Sequence, residues 1–226
     1  MMNDELESLE KNEKNDLRHL LEVIHHSSFI IHHSSFMHHI AIFASGTGSN
    51  ARKIIEYFAQ NDRAQVVLVV SNKPDAGVLD IAQAHRIPTH VIGRKSFYET
   101  EDLLAVLDRH QVDFIALAGF LWLIPPYLVQ AFSRKMVNIH PALLPKYGGK
   151  GMFGKHVHEA VKAAGEHETG ITIHFVNEHY DEGDIVFQAT CPIAPEDTPE
   201  TIAHDVQQLE HRYFPEIIER ILNNPA

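Results

Sequence analysis

At 226 residues the chain is long enough for one sizeable core and predicts a single α/β domain. Its hydrophobic share of 44% and charged share of 22% are those of an ordinary globular protein, and a net charge of −11 excludes a general affinity for nucleic acid or anionic membrane. One cysteine, Cys191, excludes an internal disulfide framework and fits a reducing cytoplasm, and no apolar run approaches the length of a membrane span.

Residues 1–36 differ from the rest. An acidic, polar segment is followed by a tandem repeat in which His25-His26-Ser27-Ser28-Phe29 recurs as His32-His33-Ser34-Ser35-Phe36. Paired histidines invite a metal reading, but no thiol or carboxylate stands at fixed spacing. The stretch is therefore expected to be a disordered, low-complexity extension, with Met37 as the natural start of the folded part.

From Ile40 onward, strand and helix patterns alternate. Residues 40–44 read as a strand, 51–60 as a helix, 65–71 as a strand, 78–85 as a helix and 89–92 as a short strand. A helix over 100–109 and a strand over 114–118 follow. Continuous apolar runs such as Val66-Val67-Leu68-Val69-Val70 predict strands buried on both faces, as in a parallel sheet. After Pro125-Pro126 a short helix leads into a strand over 136–140. The last third reads as a helix over 156–164, two antiparallel-type strands over 170–177 and 184–192, and a closing helix from Thr198 to about residue 222. Pro199 suits that helix's first turn, whereas Pro215 is expected to interrupt or kink it. The pattern predicts an open, mostly parallel Rossmann-like sheet with helices on both faces and added antiparallel C-terminal strands.

Three stretches carry chemistry. Ser45-Gly46-Thr47-Gly48-Ser49-Asn50 joins the first strand to the first helix, where a tight turn and a helix N-terminus together make an anion site. It is neither a Walker loop, lacking Gly-Lys-Ser/Thr, nor a full GxGxxG fingerprint, because Ala51 replaces the third glycine. It reads as a plain structural turn or as a phosphate cradle, and its place after the first strand favours the cradle. In Asn138-Ile139-His140-Pro141, residues i and i+2 of a strand share a face, so a carboxamide and an imidazole project together. That pair either caps the sheet or activates a carbonyl. Asp181-Glu182-Gly183-Asp184 lies in the turn of the late hairpin; it reads as a solvated acidic turn or, if the hairpin folds over the end of the parallel sheet, as the source of one carboxylate that reaches His140 and holds the imidazole protonated. The stripe Phe120-Leu121-Trp122-Leu123-Ile124 reads as core or as the wall of an apolar slot for a flat ring.

Taken together, with Ser71-Asn72-Lys73-Pro74-Asp75-Ala76, Ala118-Gly119-Phe120, Gly170-Ile171-Thr172-Ile173-His174-Phe175-Val176 and Gln188-Ala189 in order, these pieces resemble the phosphoribosylglycinamide formyltransferase family from Met37 to about Leu222. The resemblance implies a formyltransferase domain over 37–226 that moves the formyl group of 10-formyltetrahydrofolate onto the amine of glycinamide ribonucleotide, without a metal. It implies that Asn138 and His140 polarise the formyl carbonyl and that Asp181 organises His140 and a proton-relaying water. Gly46, Thr47, Gly48, Ser49 and Asn50 would hold the substrate phosphate. Gln207 would stand beside Glu210, whose carboxylate would grip the ribose. The pterin would lie between Leu121, Trp122, Leu123 and Ile124 on one side and Asn177, Glu178, His179 and Tyr180 on the other. It further implies a cytoplasmic monomer or homodimer acting on glycinamide ribonucleotide and reduced folate, with no nucleic-acid or membrane partner.

Two departures from the family stand out. Gly148-Gly149-Lys150-Gly151-Met152-Phe153-Gly154-Lys155 replaces a shorter loop, and no arginine follows the third strand in register, with Arg94 and Lys95 the nearest substitutes. Other formyl-group enzymes share the Asn-x-His pair. A methionyl-tRNA formyltransferase is expected to add a basic C-terminal domain, and a 10-formyltetrahydrofolate hydrolase a larger N-terminal one. The hydrolase and a non-catalytic folate- or nucleotide-binding module remain the alternatives.

Overall fold

A computed structural model describes residues 37–224, so the expectations for residues 1–36 fall outside the described part. Seven strands form one sheet in the order β3-β2-β1-β4-β5-β6-β7. They are β1 (His38–Phe43), β2 (Ala64–Ser71), β3 (Thr89–Val91), β4 (Phe114–Leu117), β5 (Met136–His140), β6 (Glu168–Phe175) and β7 (Ile185–Pro192). The pairs among β1 to β5 are parallel; β5–β6 and β6–β7 are antiparallel. Among the described residues seven helices flank the sheet: α1 (Ser49–Phe58), α2 (Gly77–Ala84), α3 (Arg94–Glu99), α4 (Asp102–Arg109), α5 (Pro126–Ala131), α6 (Lys155–Ala163) and α7 (Pro199–Asn223).

The strand period sorts the core into two layers. Ile40 and Ile42 of β1 face α1 and α7 with Ile54, Phe58, Phe214 and Ile218, whereas Ala41 and Phe43 face α3, α4 and α5 with Phe97, Leu107 and Leu128. Every one of these side chains is at least 96% buried, so the central strands are covered on both sides, as their unbroken apolar runs require. Among the described residues no helix is long and apolar enough to cross a membrane.

Two local features depart from the sequence pattern. Residues 94–99, to which the sequence pattern assigned no element, form α3, and Phe97 on it is buried in the second core layer. Pro215 does not end α7, which runs unbroken for 25 residues. Proline costs that helix one backbone hydrogen bond, but Phe214, Ile217 and Ile218 resume the buried face on either side of it and outweigh the loss. The helix starts where the sequence indicated: the Thr198 side chain accepts from the Thr201 N–H, and the Thr201 side chain accepts from the Thr198 N–H.

Candidate active site

The C-terminal ends of β1, β4 and β5 open into a cavity of about 650 Å³, where ligands of open α/β sheets bind. Its floor is the 46–50 turn. Gly48 has φ +81, and a Cβ there would come within 2.8 Å of Val78, so only glycine fits. The N-terminus of α1 carries no side-chain cap, leaving its first N–H groups free for an anion. Across from the turn, Asn50 donates from Nδ2 to Glu210 (2.9 Å) and Gln207 donates to the Ser49 hydroxyl (3.3 Å). The turn and α7 residues that the sequence associated with the nucleotide thus meet, although about 160 residues separate them.

Burial raises the Glu210 carboxyl from 4.5 to about 7, against the opposing pull of the Asn50 N–H. The folded protein therefore keeps a proton there that the unfolded chain releases above about 4.5, so the group favours folding at acid pH and costs stability as pH rises through 7. Glu210→Gln is expected to raise the melting temperature at pH 8 by roughly 5–10 °C and to leave it nearly unchanged at pH 4, as thermal melts at the two pH values would show.

At the other end of the cavity, β5 presents Asn138 and His140 on one face, paired across β6 with His174 and Thr172 respectively. Asp181 joins them from the β6–β7 connection. Its Oδ1 lies 3.4 Å from Asn138 Nδ2 and 3.7 Å from His174 Nε2, and its Oδ2 lies 3.5 Å from His140 Nδ1. Asp181 has φ +58 and Tyr147 φ +57. Both non-glycine residues thus hold a left-handed backbone beside the site, a cost of about 1 kcal/mol or more each that the surrounding bonds must offset. Gly183 keeps the connection tight, since a Cβ there would collide with the Phe175 carbonyl.

Hydrogen bonds fix which nitrogen does what. His140 Nε2 donates to the Tyr147 carbonyl at 2.8 Å, which leaves Nδ1 facing Asp181. His174 Nδ1 donates to the Phe175 carbonyl at 2.8 Å, so its Nε2 accepts from Asn138 Nδ2 at 3.1 Å. Asn138 therefore has one short N–H contact that orients it and one long contact, to Asp181, that is easily redirected. The expectation that Asp181 holds His140 protonated is reversed: burial lowers the imidazole below its ordinary range, more than Asp181 and the Tyr147 carbonyl raise it, and His174 adds to the lowering. Burial also opposes ionisation of Asp181, but His174, His140 and the Gly149 N–H (2.9 Å) together hold its carboxyl below the usual range. The resting site is a carboxylate beside a neutral imidazole.

Three contributors were given no part in the site from sequence. His174 orients Asn138. Gly149 donates to Asp181 from the unusual loop, whose residues 149–155 line the cavity. Thr172 is fully buried; its hydroxyl donates to the Ala142 carbonyl (2.7 Å) and accepts from Leu144 N (2.9 Å) and Gln188 Nε2 (2.9 Å), which fastens the chain just after His140. Thr172→Val keeps the shape and strands the Ala142 carbonyl and the Leu144 N–H, while Gln188 Nε2 keeps the Leu144 carbonyl at 3.1 Å, so denaturant titration should show a loss of about 2–3 kcal/mol. The one available signal was that Thr172-x-His174 repeats the spacing of Asn138-x-His140.

The proposed pterin walls divide. Leu121 and Tyr180 line the cavity. Trp122 packs instead among Phe97, Tyr98 and Phe120, with the Arg94 guanidinium over the Tyr98 and Trp122 rings at 5.2 and 5.7 Å. Ile124 is 98% buried in the second core layer, so any ligand contact it makes is through backbone, and the Leu123 carbonyl accepts from the Tyr98 hydroxyl. Asn177 caps the turn by accepting from the His179 N–H; Asn177, Glu178 and His179 lie outside the cavity lining.

A carboxamide, a neutral imidazole and a carboxylate at the end of a parallel sheet share a cavity with a helix-N-terminal glycine turn, and together define an α/β site of a chemistry that can serve carbonyl activation. The sequence pattern described as "Formyl transferase" matches residues 38–218. Similar proteins include a chloroplastic phosphoribosylglycinamide formyltransferase of Arabidopsis thaliana, 44% identical over 188 residues (80% of this chain, 64% of the relative). The phosphoribosylglycinamide formyltransferase of Bacillus subtilis is 38% identical over 80% of this chain and 93% of its own. The crystal structure of the enzyme of that name from Anaplasma phagocytophilum superposes with a TM-score of 0.76 at 34% identity, covering 83% of this chain and 87% of the other. The chain belongs to the formyl transferase family, in its phosphoribosylglycinamide formyltransferase branch, and has that branch's fold. It spans 64% and 60% of the length of two plant relatives.

Proposed function

We propose that this protein transfers the formyl group of 10-formyltetrahydrofolate to the amine of 5-phosphoribosylglycinamide, a step of purine biosynthesis. The observation that carries the reading is the convergence of Asn138, His140 and Asp181, 3.4–3.5 Å apart, on a cavity that also contains the 46–50 turn. The substrate phosphate sits on the free N–H groups of that turn. The Glu210 carboxylate accepts from the ribose hydroxyls, an interaction that favours its ionised form and so offsets the cost of burying it.

The amine nitrogen attacks the formyl carbon. Negative charge develops on the formyl oxygen, and the long N–H contact from Asn138 to Asp181 swings to that oxygen while His174 keeps the carboxamide aligned. The amine's proton leaves toward Asp181 and the unprotonated Nδ1 of His140. It returns to the folate nitrogen as the carbon–nitrogen bond to folate breaks. Neither nitrogen ends charged, and the products are formylglycinamide ribonucleotide and tetrahydrofolate. The pterin lies against Leu121 and Tyr180, and the protein acts as a cytoplasmic monomer or homodimer.

The test is absorbance of a 10-formyl folate analogue with and without glycinamide ribonucleotide. Deformylation that requires the amine is expected. Release without it would identify a hydrolase, and no release in either case a binding module.

A further inference from the structure

His158, on the second turn of α6, has no place in the chemistry described above. It is 94% buried, yet it lines the cavity. Its Nδ1 is sealed from solvent without a hydrogen-bond partner, and Nε2, which also has no protein partner, is the nitrogen that keeps access. Buried polar side chains are nearly always paired, and a histidine that only filled space could be replaced by leucine without leaving a polar atom stranded. The helix that carries it begins at Gly154 without a side-chain cap and with no acidic residue in its first turn. Burial lowers the His158 imidazole below its ordinary range, and the nearby His140 adds to the lowering. Both rings are thus neutral at neutral pH.

A neutral ring carries one N–H. An orphaned buried N–H is rarer than an under-satisfied acceptor, so the lone pair belongs on the sealed Nδ1 and the proton on Nε2. That puts a neutral donor in the cavity beside His140, on the side of α7 that carries Ala203, Val206 and Gln207. The phosphate end of the cavity already has its donors at 46–50, and the formyl oxygen has Asn138. The amine substrate retains one strong acceptor between those ends, the amide carbonyl adjoining the attacking amine.

We propose that His158 is a substrate-positioning residue, its Nε2–H donating to the carbonyl oxygen of the amine substrate and so fixing the direction of the amine lone pair. The inference rests on the formyl-transfer reading. Binding of glycinamide ribonucleotide, without folate, would be measured by titration calorimetry for the parent protein and for His158→Leu, His158→Gln and His158→Asn, together with steady-state KM values for both substrates and thermal melts. The glutamine amide reproduces the position of Nε2 and the asparagine amide that of Nδ1. The expected result is binding weakened about tenfold in the leucine and asparagine variants and restored to within about threefold in the glutamine variant, one hydrogen bond's worth, with the KM for the formyl folate unchanged. Parent-like binding by His158→Leu would overturn the proposal. So would an equal rise in both KM values that glutamine fails to rescue, which marks a purely structural role. Should the leucine variant not fold, equal binding by the glutamine and asparagine variants overturns it instead. A parent protein that neither binds nor formylates glycinamide ribonucleotide would remove the functional reading itself, an outcome the parent titration separates from all the others.

Discussion

Asp181→Asn is expected to lower kcat about a thousandfold while leaving KM for either substrate within a few-fold, because the substitution keeps the shape of the side chain and removes its capacity to take a proton. Three groups now aim at that carboxylate: His140 Nδ1 at 3.5 Å, Asn138 Nδ2 at 3.4 Å and the Gly149 N–H at 2.9 Å. An asparagine oxygen still accepts from Gly149, so the loop stays in place and the variant folds, with a melting temperature below the parent's at neutral pH that converges with it at acid pH. The acid limb changes in a defined direction. The parent carboxyl titrates below its ordinary range, so its contribution to stability is present at neutral pH and lost as pH falls through the folded-state value; the asparagine variant has no such contribution to lose. Rapid-mix turnover and melts from pH 3 to 8 would check both. Parent-like kcat would take Asp181 out of the reaction.

How much of this site was legible beforehand follows from what periodicity can carry. Asn138 and His140 stand two apart on a strand, so their shared face is written in the sequence, and the 46–50 turn announces itself through its glycines. What periodicity does not carry is register. That Asn138 pairs with His174 and His140 with Thr172 depends on how β6 lies against β5, and residues 170–177 read as an ordinary strand. The protonation of His140 was misjudged for a related reason. A nearby carboxylate is easily inferred, but the 97% burial that outweighs it is a property of the packed fold. Trp122 and Ile124 lie where sequence leaves two readings open, since an apolar stripe after β4 reads as core or as ligand wall; in the fold Ile124 is buried in the second layer and Trp122, partly buried, packs on Phe97.

Asn138→Asp is the sharpest test of the oxyanion role, since it changes one nitrogen to oxygen and reverses what the group offers. At pH 8 an acceptor-only carboxylate would face the developing oxyanion, with Asp181 beside it, and kcat should fall by about a thousandfold or more; losing an oxyanion donor alone costs about 3–4 kcal/mol. His174 Nε2 loses its N–H partner at the same time. Two neighbouring carboxylates resist joint ionisation, so the new acid should titrate well above the usual carboxylate range. Once protonated, it presents an O–H donor where Asn138 presented its N–H. Residual kcat should therefore rise as pH is lowered from 8 toward 5.5, a rise that the parent, whose Asn138 does not titrate, lacks. That rise is the signature. If the aspartate variant instead retained activity within tenfold of the parent and followed its pH profile, Asn138 would be only a strand cap and the formyl oxygen would have to find its donor elsewhere.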